Sequence, residues 1–173
     1  MRSEIPRGAS RSSQKGNGFK EIMELETKRL RIYLETQEEM AALIEQQTDD
    51  DLRTAYREML DGCLQHPEQW EWYAVWMIES KDGSHIGDLS FKGLGADGAV
   101  EIGYGIAEEF QGRGFATEAV DAAVNWSLQQ PHVTCVEAET DPANRASQRV
   151  LEKCGFVPTG VTGEEGPRFR KAT

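Results

Sequence analysis

The chain has 173 residues, 38% of them hydrophobic and 28% charged, which suits one folded domain with a proper core. Its net charge of −11 argues against general nucleic-acid binding; the acidity either keeps the domain soluble or attracts a cationic partner. No apolar run has the length of a membrane span, and no signal-peptide core is present. We therefore expect a soluble, cytoplasmic domain that binds neither nucleic acid nor membrane.

Residues 1–20 differ in composition from the rest of the chain. They carry five basic residues against one acidic residue, are rich in Gly and Ser and contain few apolar side chains. Such a segment has little intrinsic tendency to order. The same composition describes an organelle transit peptide, but no amphipathic stripe is visible. We expect a disordered basic tail, either native or left by cloning, followed by one domain over residues 21–173.

The domain is predicted to begin with one strand followed by two helices. A strand is predicted from about Leu25 to Leu34, and Thr36-x-x-Glu39 forms a capping box that begins a helix. A second helix is predicted from Thr48, where three aspartates follow, because acidic residues are favourable in a first turn. It ends before Pro67.

An aromatic segment follows these helices. Residues 72–78 and 85–91 read as two strands joined by the hairpin signal Lys81-Asp82-Gly83. Four aromatic residues crowd this region, which would suit either an aromatic cage for a cationic ligand or packing against the sheet, the reading favoured for buried aromatics. They are Trp70, Trp72, Tyr73 and Trp76.

The most informative stretch is a strand, a glycine-bearing loop and a helix between residues 100 and 128. The strand covers residues 100–106, and apolar residues recur at helical spacing from Ala116. Gly112 and Gly114 have no Cβ, so a phosphate could approach the backbone of the loop closely. The helix behind the loop would present its positive end to that anion, and Arg113 adds a formal charge.

Two common phosphate-binding motifs fit this loop poorly. A P-loop needs Gly-Lys-Ser/Thr at its end, and Arg113-Gly114-Phe115 does not supply it. A dinucleotide-binding fold needs two mononucleotide halves, for which too little chain follows, although Glu139 could serve as its ribose-binding acid. The sequence Gln111-Gly112-Arg113-Gly114-Phe115-Ala116 instead resembles the Gln/Arg-x-x-Gly-x-Gly/Ala motif of the GNAT superfamily of acyl-CoA-dependent N-acetyltransferases, in which this loop binds the pyrophosphate of coenzyme A.

The resemblance extends from about Leu25 to the C-terminus and points to the RimJ/RimL-like branch. Residues 27–32 are similar to that branch's first strand, and residues 101–104 to its fourth. Asn144-x-x-Ser147 and residues 150–156 resemble its last helix and the Gly-Phe that begins the next strand.

The remaining elements agree with this order. A strand is predicted over residues 133–140, a helix from about Asn144 to Cys154 with Gly155 as the helix-ending residue, and a terminal hairpin over residues 156–162 and 168–171. The fold class is therefore α+β: a GNAT fold with a twisted, mostly antiparallel mixed sheet of six to seven strands and helices on both faces.

No metal site is expected. The three histidines are scattered, and the three cysteines form no C-x-x-C pair. All three cysteines fall within helix or strand patterns and read as reduced core residues: Cys63, Cys135 and Cys154. Cys135 as an acyl-carrying nucleophile is a minor alternative, because nothing in the sequence pairs it with a base.

By resemblance, the site residues divide into catalytic and cofactor-binding groups. Glu101 matches the proposed general base, acting directly or through water, and Ser147 the proposed general acid toward the thiol. Alternation along the strand puts Glu101 on one face with Gly103 and Gly105. The cofactor-binding set is Tyr104, Gly105, Ile106, Gln111, Gly112, Arg113, Gly114, Phe115, Ala116, Thr117 and Asn144.

The expected function is transfer of an acetyl group from acetyl-CoA to a primary amine, by direct transfer in a ternary complex. The acceptor could be a protein N-terminus or a small amine, and a homodimer is left open. The alternative is a catalytically silent GNAT domain that binds acyl-CoA as a sensor or scaffold.

Overall fold

A computed structural model describes residues 8–12 and 21–173. Within them, nine strands form one sheet in the order β1-β2-β3-β4-β5-β6-β7-β9-β8. Neighbours are antiparallel except β6 and β7, which are parallel. The strands are β1 Gly8–Ser12, β2 Glu21–Glu26, β3 Leu30–Leu34, β4 Val75–Ser80, β5 His85–Leu94, β6 Ala99–Ile106, β7 Cys135–Glu139, β8 Val157–Thr162 and β9 Pro167–Ala172. The predicted α+β class with a mostly antiparallel mixed sheet is confirmed.

The sheet has more strands than the six to seven predicted, and the difference lies at its N-terminal edge. The single strand predicted over residues 25–34 is two strands, β2 and β3, joined by a turn in which Thr27 N–H donates to the Leu30 carbonyl at 2.9 Å. Leu25 and Leu30 are both fully buried. Five residues apart, they would face opposite sides of one continuous strand, so the turn is what lets both enter the core.

The predicted tail also contains a strand. Gly8–Ser12 forms β1 and pairs antiparallel with β2, whereas little order was expected there. Strand pairing uses backbone groups, which composition does not report. The other residues of the predicted tail lie outside the described residues.

Four helices begin close to their predicted starts: α1 Gln37–Gln46, α2 Asp50–Gln65, α3 Phe115–Leu128 and α4 Arg145–Lys153. Thr36 caps α1 by accepting from the Glu39 N–H at 3.2 Å, as the capping box predicts. Asp49 caps α2 by accepting from the N–H groups of Asp51 and Leu52. Gly155 follows α4 with φ of +88°, which confirms it as the helix-ending residue.

The aromatic segment forms a short 3₁₀ helix over Pro67–Trp72 before β4 begins at Val75, so the strand starts three residues later than predicted. Trp72 and Trp76 are 3% and 0% exposed. Both pack on Trp126 of α3, with ring centroids 5.2 and 5.0 Å away. The packing interpretation is therefore correct for these two tryptophans, and burial closes them to a cationic ligand. The three cysteines are buried and free, as predicted.

Helices cover both faces of the sheet, as expected. Trp126 of α3 packs on Phe91 of β5, with centroids 6.2 Å apart, whereas Tyr56 of α2 donates to Asp88 Oδ2 at 2.8 Å. Asp88 and Phe91 are three positions apart on one strand, so they point to opposite faces. We call these the α3 face and the α2 face. Among the described residues, no helix is long and apolar enough to cross a membrane.

Candidate active site

The parallel pair β6 and β7 separates part-way along its length. The pairing covers only residues 99–101 of β6 against residues 135–137 of β7, although β6 continues to Ile106. Beyond Glu101, the β7 side of β6 therefore has no strand partner in the described parts of the chain. We call this opening the β6–β7 split.

A cavity of about 580 Å³ lies at the split. It is formed by the end of β6, the glycine-bearing loop, the first turn of α3 and one side of α4. Its lining consists of Tyr104, Gly105, Ile106, Phe110, Gln111, Gly112, Gly114, Phe115, Ala116, Thr117, Asn144, Ala146, Ser147, Arg149, Val150 and Lys153. The structure thus brings together all the predicted site residues except Glu101 and Arg113.

The loop has the backbone geometry of an anion-binding turn. Gly112 and Gly114 have φ of +75° and +80°, a region that favours glycine, and Gly114 occupies the N-cap of α3. The free N–H groups of the first turn of α3 therefore point toward the cavity, where the helix dipole is positive. This end of the cavity is suited to a phosphate group.

Arg113 is the loop residue that does not line the cavity. Its guanidinium lies over the ring of Phe110, 5.7 Å from the centroid, and its carbonyl accepts a hydrogen bond from Arg29 Nη1 at 2.9 Å. The predicted contribution of its charge to the anion site is not seen in this arrangement.

Arg29 was missed by the sequence analysis, and it holds the loop in place. Its Nε donates to Glu118 Oε1 at 2.8 Å, and its guanidinium lies over the ring of Phe115 at 4.3 Å. Glu118 also accepts from the Thr27 hydroxyl at 2.5 Å. Arg29 and Glu118 are 89 positions apart, so nothing in the local sequence signals this contact.

Two cavity residues of α4 were also missed, and for these a signal existed. Arg149 and Lys153 line the cavity and are four residues apart, which places them on the same side of the helix. Asn144 and Ser147 had already assigned this helix to the site. In a chain of net charge −11, two cations beside the glycine loop provide a local positive field for an anion.

The side chains of Ser147 and Tyr104 form a hydroxyl pair inside the cavity. The Ser147 Oγ and the Tyr104 phenol oxygen are 2.8 Å apart. Burial raises the pKa of Tyr104, against the opposing effect of the hydrogen bond with Ser147, so the phenol remains protonated at neutral pH. Asn144 caps α4 by accepting from the Ser147 N–H at 3.1 Å. The pair can therefore deliver a proton to an atom bound in the cavity.

Glu101 does not line the cavity. It lies on the α2 face, at the last position where β6 pairs with β7. Both of its oxygens are engaged by cations: Oε2 is 2.7 Å from Lys92 Nζ, and Oε1 is 2.9 Å from Arg168 Nη2. Arg168 also pairs with Glu137 and Glu139, at 2.8 and 2.6 Å. The sequence analysis did not foresee either cation. In the described part of the chain, no group of His, Cys, Asp and Glu side chains is arranged to hold a metal ion.

A second carboxylate on the α2 face has a strongly shifted pKa. Glu35, just after β3, is only 7% exposed. Burial, followed by the negative charges of Glu39, Asp88 and Glu79, raises the pKa of Glu35 to about 7. Because the folded protein holds this proton more tightly than the unfolded chain does, stability should fall as the pH rises from about 4.5 to above 7.

We expect Glu35→Gln to remove that loss, since Gln is neutral at every pH. Relative to the wild type, the free energy of unfolding of the variant should be about 2–3 kcal/mol higher at pH 8 than at pH 5. Thermal melts across this pH range would measure it, with Glu58→Gln, on the exposed side of α2, as the control. A difference between Glu35→Gln and wild type that does not change with pH would contradict the shifted pKa.

Comparison with known proteins decides the family. The profile of the acetyltransferase (GNAT) domain matches residues 23–157, which is most of the chain. This chain is a member of the GNAT family.

Relatives of this GNAT domain include several bacterial N-acetyltransferases. It is 33% identical over 110 residues to a probable N-acetyltransferase, YjcK of Bacillus subtilis, with 62% of this chain and 57% of the relative covered. It is 31% identical over 77 residues to the [ribosomal protein uS5]-alanine N-acetyltransferase of Escherichia coli, with 43% of this chain and 40% of that relative covered. The matched segments thus span about half the length of these relatives.

Solved structures share the fold over nearly their whole length. A putative ribosomal-protein-serine acetyltransferase from Vibrio cholerae superposes with a TM-score of 0.65 at 18% identity, covering 87% of this chain and 97% of its own. The spermidine N-acetyltransferase of Vibrio cholerae, in complex with CoA and spermine, superposes with a TM-score of 0.66 at 16% identity. The superposition covers 84% of this chain and 96% of the spermidine N-acetyltransferase chain. The predicted GNAT fold is confirmed.

Proposed function

We propose that this GNAT domain transfers an acetyl group from acetyl-CoA to a primary amine, by direct attack within a ternary complex. The observation that carries the proposal is the cavity at the β6–β7 split, where the glycine-bearing loop, the start of α3 and two basic residues of α4 converge. That site suits a long ligand with an anionic end, and solved structures with the same fold include complexes with CoA and acetyl-CoA.

The residues divide the work of holding acetyl-CoA. The N–H groups of the loop and of the first turn of α3 would bind the pyrophosphate, and Arg149 and Lys153 would add charge-assisted contacts to its phosphates. The unpaired edge of β6 at Tyr104, Gly105 and Ile106 would hydrogen-bond the pantetheine arm as an added strand does. Asn144, at the start of α4, would contact the same arm.

In the transfer step, the amine nitrogen attacks the thioester carbonyl carbon, a C–N bond forms and the C–S bond breaks. Glu101 would receive the proton that the amine sheds, through water. The leaving thiolate would take a proton from Ser147, whose hydroxyl is hydrogen-bonded to the Tyr104 phenol. Both oxygens of Glu101 pair with cations, and each oxygen has a further lone pair with which it would accept a hydrogen bond from that water.

The engagement of Glu101 also favours one alternative, a GNAT domain that binds acyl-CoA without turnover. The two functions differ in one measurable respect, because only the enzyme releases CoA in the presence of an amine. The acceptor is proposed to be a protein N-terminal amine or a small-molecule amine. A cytoplasmic location and assembly as a homodimer remain predictions.

A thermal melt with acetyl-CoA, CoA and NAD in parallel tests the ligand first. A ligand at 100 times its dissociation constant should add about 2.7 kcal/mol of stability, a shift of several degrees for a domain of this size. We expect a shift with both CoA species and none with NAD. CoA release with a panel of amines then tests turnover. A shift without release from any amine would support the silent domain, and no shift with CoA would contradict both functions.

A further inference from the structure

The α2 face beside the β6–β7 split has an open floor made of glycine. Gly103 and Gly105 point to this face, because they alternate with Ile102 and Tyr104 along β6. A Cβ built at either position would meet no atom within 4 Å. Gly105 also lines the cavity, so a ligand resting on this floor approaches the strand from the side opposite α4.

Asp88 borders this floor. It is the cross-strand partner of Gly105 in the pairing of β5 with β6, and directly opposed side chains on a sheet lie about 5 Å apart. The Tyr56 hydroxyl donates to Oδ2 at 2.8 Å and fixes the carboxylate. Among the described residues, no group hydrogen-bonds Oδ1, and no lysine or arginine pairs with Asp88.

Glu35 is a second, independent indication of a missing ligand. It is 93% buried, since only 7% of it is exposed, yet no hydrogen bond or ion pair to its carboxylate occurs within the described parts of the chain. Its N–H donates to the Val75 carbonyl at 2.9 Å, and Val75 pairs with Ser90, two positions from Asp88, so Glu35 and Asp88 point to the same face of the sheet. Burial raises the pKa of Asp88 as well, although the Tyr56 hydrogen bond and the charge of His85 oppose that shift.

The α2 face has two clusters of carboxylates, and they differ in whether a cation pairs with them. Glu101, Glu137 and Glu139 share the guanidinium of Arg168. Glu35 is buried and Asp88 is half-buried, and neither pairs with a lysine or arginine that the structure describes; the other charges acting on them are Glu39, Glu79 and His85. Buried carboxylates are expected to have a cationic partner, so a positively charged ligand would complete this pair.

We propose that Asp88 and Glu35 bind an ammonium group of the acceptor other than the amine that reacts, so that the acceptor carries two or more cationic groups. This inference rests on the proposed function, which places the reacting amine near Glu101. Gly105 and Glu101 are four residues apart on a strand, about 13 Å at the usual rise per residue. One ammonium group cannot contact the carboxylates at both places, but a diamine or polyamine can.

Calorimetry on the CoA-saturated protein at pH 8 tests the proposal with three amines. Spermidine and 1,8-diaminooctane carry cationic groups far apart, and butylamine carries one. We expect the wild type to bind the first two at least about tenfold more tightly than butylamine. Asp88→Asn should weaken spermidine binding by about 10- to 100-fold and leave butylamine unchanged. Asp61→Asn, the same change on the exposed side of α2, should bind all three amines as the wild type does.

Glu35→Gln provides a second variant with a neutral side chain at this place, should Asp88→Asn fold poorly, and it should also weaken spermidine binding. Wild type that binds spermidine no more tightly than butylamine, or variants that bind it as tightly as the wild type, would overturn the proposal. Amine-dependent CoA release is measured separately. If the variants release CoA and bind spermidine as tightly as the wild type does, only the second-ammonium site is overturned. If spermidine binding depends on Asp88 but no CoA is released, only the proposed transfer is overturned.

Discussion

Replacing Glu101 with Gln should lower turnover by about 10²- to 10⁴-fold and leave acetyl-CoA affinity nearly unchanged. Glu101 is on the α2 face and does not line the cavity in which acetyl-CoA is proposed to bind. Its replacement should therefore affect proton removal from the amine and not the binding of acetyl-CoA. Steady-state rates with an acceptor found in the amine panel, together with calorimetry of acetyl-CoA, would measure the two effects.

Glu137→Gln is the matched control for this variant. Glu137 is opposite Glu101 in the parallel pairing of β6 with β7 and binds the same Arg168, so its replacement disturbs the charge cluster and keeps the proposed base. We expect an effect of a few-fold at most. Activity of Glu101→Gln within a few-fold of the wild type would remove Glu101 as the base, and equal losses in both variants would assign the effect to the cluster.

The second large effect is expected from Gly114→Val, which should abolish measurable binding of CoA. Gly114 has φ of +80° at the N-cap of α3 and lines the cavity. A β-branched side chain is strained in that conformation and would occupy the space that a phosphate needs to reach the N–H groups of the helix. Calorimetry with CoA on the folded variant would measure the loss.

Gly83→Val separates backbone strain from lost binding. Gly83 lies in the turn between β4 and β5 with φ of +89°, and a Cβ there meets no atom within 4 Å. The two variants share the backbone strain and differ in distance from the cavity. Gly83→Val should therefore lose stability but still bind CoA. A folded Gly114→Val protein that binds CoA tightly would show that the phosphate lies elsewhere.

Most of the cavity could be predicted from the sequence because its features are local. The positive φ values of Gly112 and Gly114, the cap at Asn144 and the alternation that groups Glu101 with the β6 glycines depend on residues a few positions apart. The elements were also predicted in the correct order. The errors, such as one strand predicted over residues 25–34 or β4 begun at Trp72, arose where burial of particular side chains decides where a strand is interrupted.

By itself, the sequence determined the strand, loop and helix that form the phosphate end of the site, since backbone geometry there follows from the glycines and the helix start. Only the tertiary structure decided which charges act on the side chains. Arg29 reaches Glu118 across 89 positions, Tyr56 reaches Asp88 across 32, and Arg168 gathers three glutamates from two other strands. Electrostatic effects depend on distance and burial in space, and a linear pattern contains neither for residues so far apart.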